Sequence, residues 1–144
     1  MQSVLGMDVP NTNVTAGHLN LEGYKTVAQR VSTELGPPLV AITLRESVSA
    51  SDNGWSGVLW DNNTHQFFRS QRYDVRLVDR IGGGDTFAAG LIYGLVTRRG
   101  PEASLRFAVA ASALKQTIPG DFSRVSVVEV DRLAEGDASG RVQR

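Results

Sequence analysis

The stretch "LVDRIGGGDTFAAGLIYGL", Leu77 to Leu95, decides the fold, because it joins a strand-like run to three glycines, an acid and an apolar helix. Glycine loses more conformational freedom on folding than any other residue, so three glycines in a row indicate a segment whose backbone must lack side chains. We predict a strand over Tyr73–Asp79, a tight loop over Arg80–Gly84 and a helix from about Asp85 to Thr97.

This strand, loop and helix together favour an anion site. The N-terminus of a helix has unpaired N–H groups and a partial positive charge, and glycines let an anion approach them closely. Gly82, Gly83 and Gly84 are therefore predicted to cradle a phosphate. Asp85 has two interpretations: it caps the helix, or it is a general base for a hydroxyl that attacks a bound phosphate.

Two better-known phosphate motifs do not match the glycine triplet. The dinucleotide pattern G-x-G-x-x-G fails because Phe87 stands at its last glycine position, and no Lys-Ser or Lys-Thr pair follows as a P-loop requires.

Composition narrows the class of protein. The 144 residues suit a single domain, 1–144, with one core. Fifteen basic and fifteen acidic residues give no net charge, which argues against binding nucleic acid or a membrane surface through bulk charge. The chain has no cysteine, no bilayer-length apolar run and no recognisable signal peptide. A soluble, cytoplasmic protein is the expectation.

The remaining segments predict an α/β layer structure in which helices cover a sheet of largely buried strands, with an antiparallel hairpin at its edge. Residues 1–20 and the tail "GDASGRVQR" are predicted to be irregular. The predicted elements are a helix over Leu21–Leu35, a buried strand over Leu39–Leu44, a turn at Asn53-Gly54, strands over Gly57–Trp60 and Gln66–Phe68, a helix from Pro101 to about Gln116, and a last short helix near Val127.

Three stretches in this order carry a family resemblance. "VDRIGGGDTFAAGLIYGL" resembles the C-terminal signature of the ribokinase-like (PfkB-type) sugar kinases, and "VAITLRESVSASDNGW" and "AVAASALKQTIPGDFS" look most like the 2-keto-3-deoxygluconate kinases among them. The resemblance implies a ribokinase-like, Rossmann-like fold and ATP-dependent phosphorylation of 2-keto-3-deoxygluconate or a related sugar acid. It implies ATP and Mg²⁺ as cofactors, with K⁺ as a further candidate.

The resemblance also implies roles for individual residues. Asp85 matches the catalytic base, and the glycine triplet with the Asp85 N–H matches the anion hole. Asp79 matches an acid that helps to hold a monovalent cation, while Arg80 and Asp121 are candidates for substrate binding. The implied nucleotide contacts are Thr43, Leu44, Arg45, Glu46, Ser47 and, at the adenine, Val109.

Each secondary role has a structural alternative. Asp79 could end a strand and cap the loop, Arg80 could be a solvated surface residue, Asp121 could form an Asx turn after Pro119-Gly120, and Val109 could be core. The family commonly has Ser or Thr at Arg80 and often Gly at Arg45, which are departures from its pattern.

The chain resembles the C-terminal half of the family, the half with the nucleotide side and the base. The early Gly-Gly sugar motif and the N-x-x-E segment tied to magnesium are not in the sequence. Three hypotheses follow: a sugar kinase fragment with weak or no activity alone, a nucleotide- or anion-binding module without turnover, and a structural remnant. A homo-oligomer formed through strands left unpaired by the other half is expected.

Overall fold

The computed structural model describes residues 20–136, which form one helix, four strands and then three helices. The elements are α1 (Leu21–Leu35), β1 (Leu39–Ser47), β2 (Asp52–Asp61), β3 (Gln66–Arg69), β4 (Tyr73–Arg76), α2 (Gly83–Val96), α3 (Pro101–Lys115) and α4 (Val127–Glu135). The predicted irregular lead-in, apart from Asn20, and the tail beyond Gly136 lie outside the described residues. Within residues 20–136, no helix has the length and apolar character needed to cross a bilayer.

The sheet is built around β2. Strand β1 pairs with it in antiparallel register along its whole length, from Leu39 opposite Asp61 to Ser47 opposite Asn53. On the other side of β2, β3 and β4 follow one another end to end. Between these two strands the hydroxyl of Ser70 accepts a hydrogen bond from the Gly57 N–H at 3.0 Å. Strand β2 is therefore covered on both edges, whereas β1 has one neighbour among the described strands.

The prediction of a turn at Asn53-Gly54 is wrong, because both residues lie inside β2. The turn falls earlier, where the Ser49 hydroxyl accepts hydrogen bonds from the N–H groups of Ser51 and Asp52. Gly54 has a packing role: a Cβ atom there would stand 2.5 Å from the Arg72 guanidinium.

Every strand pair is antiparallel, and not only the predicted hairpin. The segments between the strands are too short for a parallel crossover, which needs a dozen or more residues. The predicted strand at Leu39 is present but longer and only partly buried, since Val40 and Leu44 are its buried residues.

Helices pack on both faces of the sheet. Helix α1 covers one face with a small core, and α3 covers the other face with the larger core. The small core contains Val27, Ala28, Val31, Val40 and Trp60, and the larger one includes Trp55, Leu59, Tyr73, Val75, Phe87, Leu105, Val109 and Leu114. Helix α3 approaches β2 so closely that a Cβ atom at Gly57 would stand 2.9 Å from Cγ2 of Val109.

Helices α2 and α3 run antiparallel and touch through small residues. A Cβ atom at Gly90 would stand 3.0 Å from the Ala108 Cα, and one at Gly94 would stand 2.7 Å from the Ser104 Cα. Since α3 is fixed on the sheet, these contacts fix α2 as well. The first turn of α2 is held in the same way, because the Ser112 hydroxyl donates a hydrogen bond of 2.7 Å to the Gly83 carbonyl.

We predict that Gly94→Ala lowers the free energy of unfolding by about 1 to 3 kcal/mol, because the added methyl overpacks the contact with Ser104. Gly84→Ala is the matched control, since it lies in the same helix and a Cβ atom there would meet nothing within 4 Å. Urea unfolding followed by circular dichroism measures both variants. Equal stabilities for the two would contradict the close helix contact.

Candidate functional site

The loop before α2 can close only with glycine at position 82. Gly82 caps α2 in the left-handed conformation with φ 76°, which residues with a side chain rarely adopt. A Cβ atom there would also stand 2.2 Å from the carbonyl oxygen of Asp121. The loop therefore lies directly on the turn that follows α3.

Two backbone donors at the start of α2 are open. The Gly83 N–H donates a hydrogen bond to the Arg80 carbonyl at 3.3 Å. The Thr86 N–H donates one of 2.9 Å to the carbonyl of the capping residue, Gly82. Within residues 20–136, the N–H groups of Gly84 and Asp85 have no acceptor. Together with the helix dipole they form a site for an anion. The two open N–H groups thus belong to the last glycine of the triplet, Gly84, and to Asp85.

The carboxylate of Asp85 is exposed and lies in the first turn of α2. It accepts no hydrogen bond from the residues that the structure describes, so it does not act as a side-chain cap. Helix α2 has no side-chain capping bond at its N-terminus, in contrast to α1 and α4, where Asn20 and Ser126 supply one. An exposed carboxylate beside an anion site is suitable for accepting a proton from a bound hydroxyl.

A cleft of about 390 Å³ opens beside these groups. It follows one face of α2 from its first turn to its third and is closed by α3, by α4 and by the segment between them. The lining residues are Gly82, Asp85, Thr86, Ala89, Gly90, Tyr93, Phe107, Ala111, Asp121, Phe122, Ser123, Val125, Val127 and Val130. The cleft is polar where the anion site lies and apolar toward Tyr93 and Phe107.

Arg99 holds the far end of this cleft together. Its guanidinium binds both carboxylate oxygens of Asp131 on α4 and lies 4.6 Å from the ring centroid of Phe107 and 5.5 Å from that of Tyr93. One side chain thus ties α4 to the aromatic pair between α2 and α3, by a bidentate ion pair and by cation–π contacts.

Asp79 braces the glycine loop from behind. Its Oδ1 accepts a hydrogen bond of 3.0 Å from the Ile81 N–H, and its Oδ2 accepts one of 2.9 Å from the Gly120 N–H. These bonds, with a smaller contribution from the charge of Lys115, lower the pKa of Asp79 below its ordinary value. The carboxylate thereby connects the loop before α2 to the turn after α3.

The structure brings three of the predicted site residues to the lining of one cleft and leaves the others out of that lining. Gly82, Asp85 and Asp121 line the cleft. Arg80 is exposed and its guanidinium lies 3.4 Å from the Ala50 carbonyl. Val109 is fully buried in the core between α3 and β2.

The predicted nucleotide contacts Thr43, Leu44, Arg45, Glu46 and Ser47 lie along β1. Leu44 is 1% exposed and belongs to the core, and Glu46 forms an ion pair with Arg72 at 3.0 Å. None of the five lines the cleft.

Several cleft residues were not predicted from the sequence. Thr86, Ala89 and Tyr93 follow Gly82 at helical spacing, so the periodicity that indicated α2 could have placed them on the face of Asp85. Phe122 is 74% exposed on the rim. The contribution of α4 had no local signal, because it depends on how the segment after α3 folds back.

Known proteins resemble this chain in sequence and in fold. A sequence model described as "pfkB family carbohydrate kinase" matches residues 45–123, which is more than half of the chain. The crystal structure of 2-dehydro-3-deoxygluconokinase from Thermotoga maritima superposes with a TM-score of 0.83 and 42% sequence identity, over 94% of this chain and 38% of that one.

Curated proteins match over shorter stretches. A 2-dehydro-3-deoxygalactonokinase of Haloferax volcanii is 34% identical over 68 residues, which are 47% of this chain and 21% of that protein. A 1-phosphofructokinase of Vibrio cholerae is 39% identical over 67 residues, 46% of this chain and 21% of that protein. The chain thus aligns with about a fifth of these curated relatives.

We predict that Asp79→Asn lowers the melting temperature near pH 7 by a few degrees, because one of the two N–H donors loses a charged acceptor. A folded-state pKa below the unfolded one stabilises the fold above the unfolded value, and this contribution disappears as the pH falls through the folded value. The difference between wild type and variant should therefore shrink below about pH 4. Thermal unfolding from pH 3 to pH 7 measures it, and a difference that does not change with pH would contradict the bracing role.

Proposed function

Because the chain belongs to the pfkB family of carbohydrate kinases, we propose that it supplies the phosphate site and the general base for ATP-dependent phosphorylation of a sugar hydroxyl. One observation carries the proposal. The free, exposed carboxylate of Asp85 stands on the same helical turn as the open N–H groups of Gly84 and Asp85, at the rim of the cleft.

Each group has a defined part in such a transfer. Asp85 accepts the proton of the sugar hydroxyl as its oxygen attacks the γ-phosphorus of ATP, and the bond from that phosphorus to the bridging oxygen of ADP breaks. The two N–H groups and the N-terminal dipole of α2 stabilise the negative charge on the transferred phosphoryl group. Gly84 leaves the approach open, since a Cβ atom there would meet no other part of the described residues within 4 Å.

The cleft has the size and polarity for part of a nucleotide. Its volume of about 390 Å³ lies in the range of small-molecule sites, and its polar end is the anion site. Mg²⁺ bound to ATP neutralises phosphate charge and takes most of its ligands from phosphate oxygens and water. Asp85 and Asp121 are the two carboxylates that line this cleft.

We propose 2-dehydro-3-deoxygluconate, or a related sugar acid, as the acceptor. The likeness to the Thermotoga maritima enzyme over most of this chain supports it, whereas the shorter matches include kinases whose names state other sugars. Arg80 is the candidate partner for the acid group, and Asp121 is a candidate partner for a sugar hydroxyl.

A nucleotide-binding module without turnover is the second candidate function. The observation that favours it is that the described residues place the base and the anion site together, but place Arg80 outside the cleft.

The proposed self-association has a separate basis, because the nine-residue strand β1 has one described neighbour and leaves an edge that could pair.

The central experiment is removal of the base. We predict that Asp85→Asn reduces sugar-dependent ADP release by about 10² to 10⁴-fold and leaves the affinity for a non-hydrolysable ATP analogue nearly unchanged. Glu102→Gln is the matched control, because Glu102 is an exposed acid in the first turn of α3 and does not line the cleft. Equal activities for the two variants would mean that Asp85 is only a first-turn acid. Analogue binding without any turnover by the wild type would support the second candidate.

We also predict that Gly84→Ala weakens binding of the ATP analogue by about tenfold or more without lowering the melting temperature. The methyl would stand in open space, so it costs the fold nothing, and alanine is the better helix former. It would, however, obstruct an anion at the open N–H groups. Isothermal titration calorimetry measures the affinity, and unchanged binding would place the phosphates elsewhere.

A further inference from the structure

Lys115 is a fully buried lysine at the end of α3. Its ammonium has one hydrogen-bond acceptor among the described residues, the Ile118 carbonyl at a distance of 3.5 Å. It forms none of the four ion pairs in residues 20–136. Burying a charge with so little pairing is costly, so the position of this ammonium calls for an explanation beyond packing.

The side chain of Lys115 lies directly beneath the glycine loop. Its Cε would be 3.3 Å from a Cβ atom at Gly82, and its positive charge contributes to the lowered pKa of Asp79. The ammonium therefore stands between the loop before α2 and the turn after α3. The C-terminal end of the α3 dipole favours a cation there.

Four described oxygen atoms behind this loop are candidate ligands for a monovalent cation, and each of them already accepts a hydrogen bond. Both carboxylate oxygens of Asp79 already accept backbone N–H groups, and the Gln116 carbonyl accepts those of Val78 and Asp79 at 2.9 and 3.2 Å. The Ile118 carbonyl accepts the ammonium. These residues do not fit the K⁺ site that the sequence resemblance implied.

We propose that Lys115 is a built-in cation. Its ammonium supplies, beneath the phosphate loop, the fixed positive charge that a bound monovalent cation would otherwise supply, so that the loop keeps its conformation without K⁺. A tethered charge is already positioned and pays no translational entropy on binding. Lys115 is a positioning residue that acts through Asp79 and Gly82. Its effect on ATP rests on the proposed function, whereas its effect on the loop does not.

The first test compares thermal unfolding in KCl and in tetramethylammonium chloride at equal ionic strength, for the wild type, Lys115→Met and Lys25→Met. Lys25, the other lysine of the chain, lies on α1 and is the control. We expect the wild type and Lys25→Met to melt at the same temperature in both salts. Lys115→Met should melt several degrees lower in tetramethylammonium and recover partly in K⁺.

Three results would overturn the proposal: a saturable rise of the wild-type melting temperature with K⁺, an unchanged melting temperature for Lys115→Met, or a destabilised Lys115→Met that does not respond to K⁺. The last result would assign Lys115 to packing alone. If Lys115→Met fails to fold, the K⁺ series on the wild type decides, because a functional cation site there contradicts a built-in charge.

The second test titrates a non-hydrolysable ATP analogue into the same proteins in tetramethylammonium chloride, at a temperature where all are folded. We expect Lys115→Met to bind about tenfold more weakly than Lys25→Met, since a buried charge acts strongly at short range. Equal affinities would contradict the role in phosphate binding. If the wild type itself does not bind the analogue, the proposed function fails, while the unfolding experiment still decides the role of Lys115.

Discussion

The close contact between α2 and α3 is the constraint on which the candidate site depends. Gly90 and Gly94 let the two backbones approach one another, and the Ser112 hydroxyl fixes the first turn of α2 to α3. Because α3 lies against β2, the start of α2 has one position relative to the sheet. The glycine triplet therefore has two separate tasks, since Gly82 permits the contact with Asp121 and Gly84 leaves open space.

Much of the fold was predictable from local signals. The helix Leu21–Leu35 has the predicted bounds, and α3 starts at Pro101 as the proline indicated. The prediction of a turn at Asn53-Gly54 failed because a dipeptide signal does not contain long-range strand pairing, and here both residues pair with β1 and with β4. The extent of antiparallel pairing in the sheet was underestimated for a similar reason, because strand pairing depends on residues far apart in sequence.

The candidate site likewise contains residues that local sequence signals predict and residues that they do not. Asp85 and the glycines follow from the strand–loop–helix pattern, since the chemistry of a helix N-terminus is local. Lys115 does not, because nothing in "SALKQT" indicates that its ammonium lies beneath a loop more than thirty residues earlier in the chain. Val109 is fully buried, as its core alternative required, and its role at the adenine stays a prediction from resemblance.

The way in which α4 is attached has a consequence for access to the cleft. Val130 is its single buried residue, and Leu133 and Ala134 pack against the larger core while partly exposed. Polar contacts run from Arg99 to Asp131 and from the Tyr73 hydroxyl to the Leu133 carbonyl. Segments with few buried apolar contacts open locally at a lower free energy than the core. We therefore expect the α4 wall to open locally at a lower free energy than the wall formed by α2 and α3, which would let ligands enter and leave while the sheet stays folded.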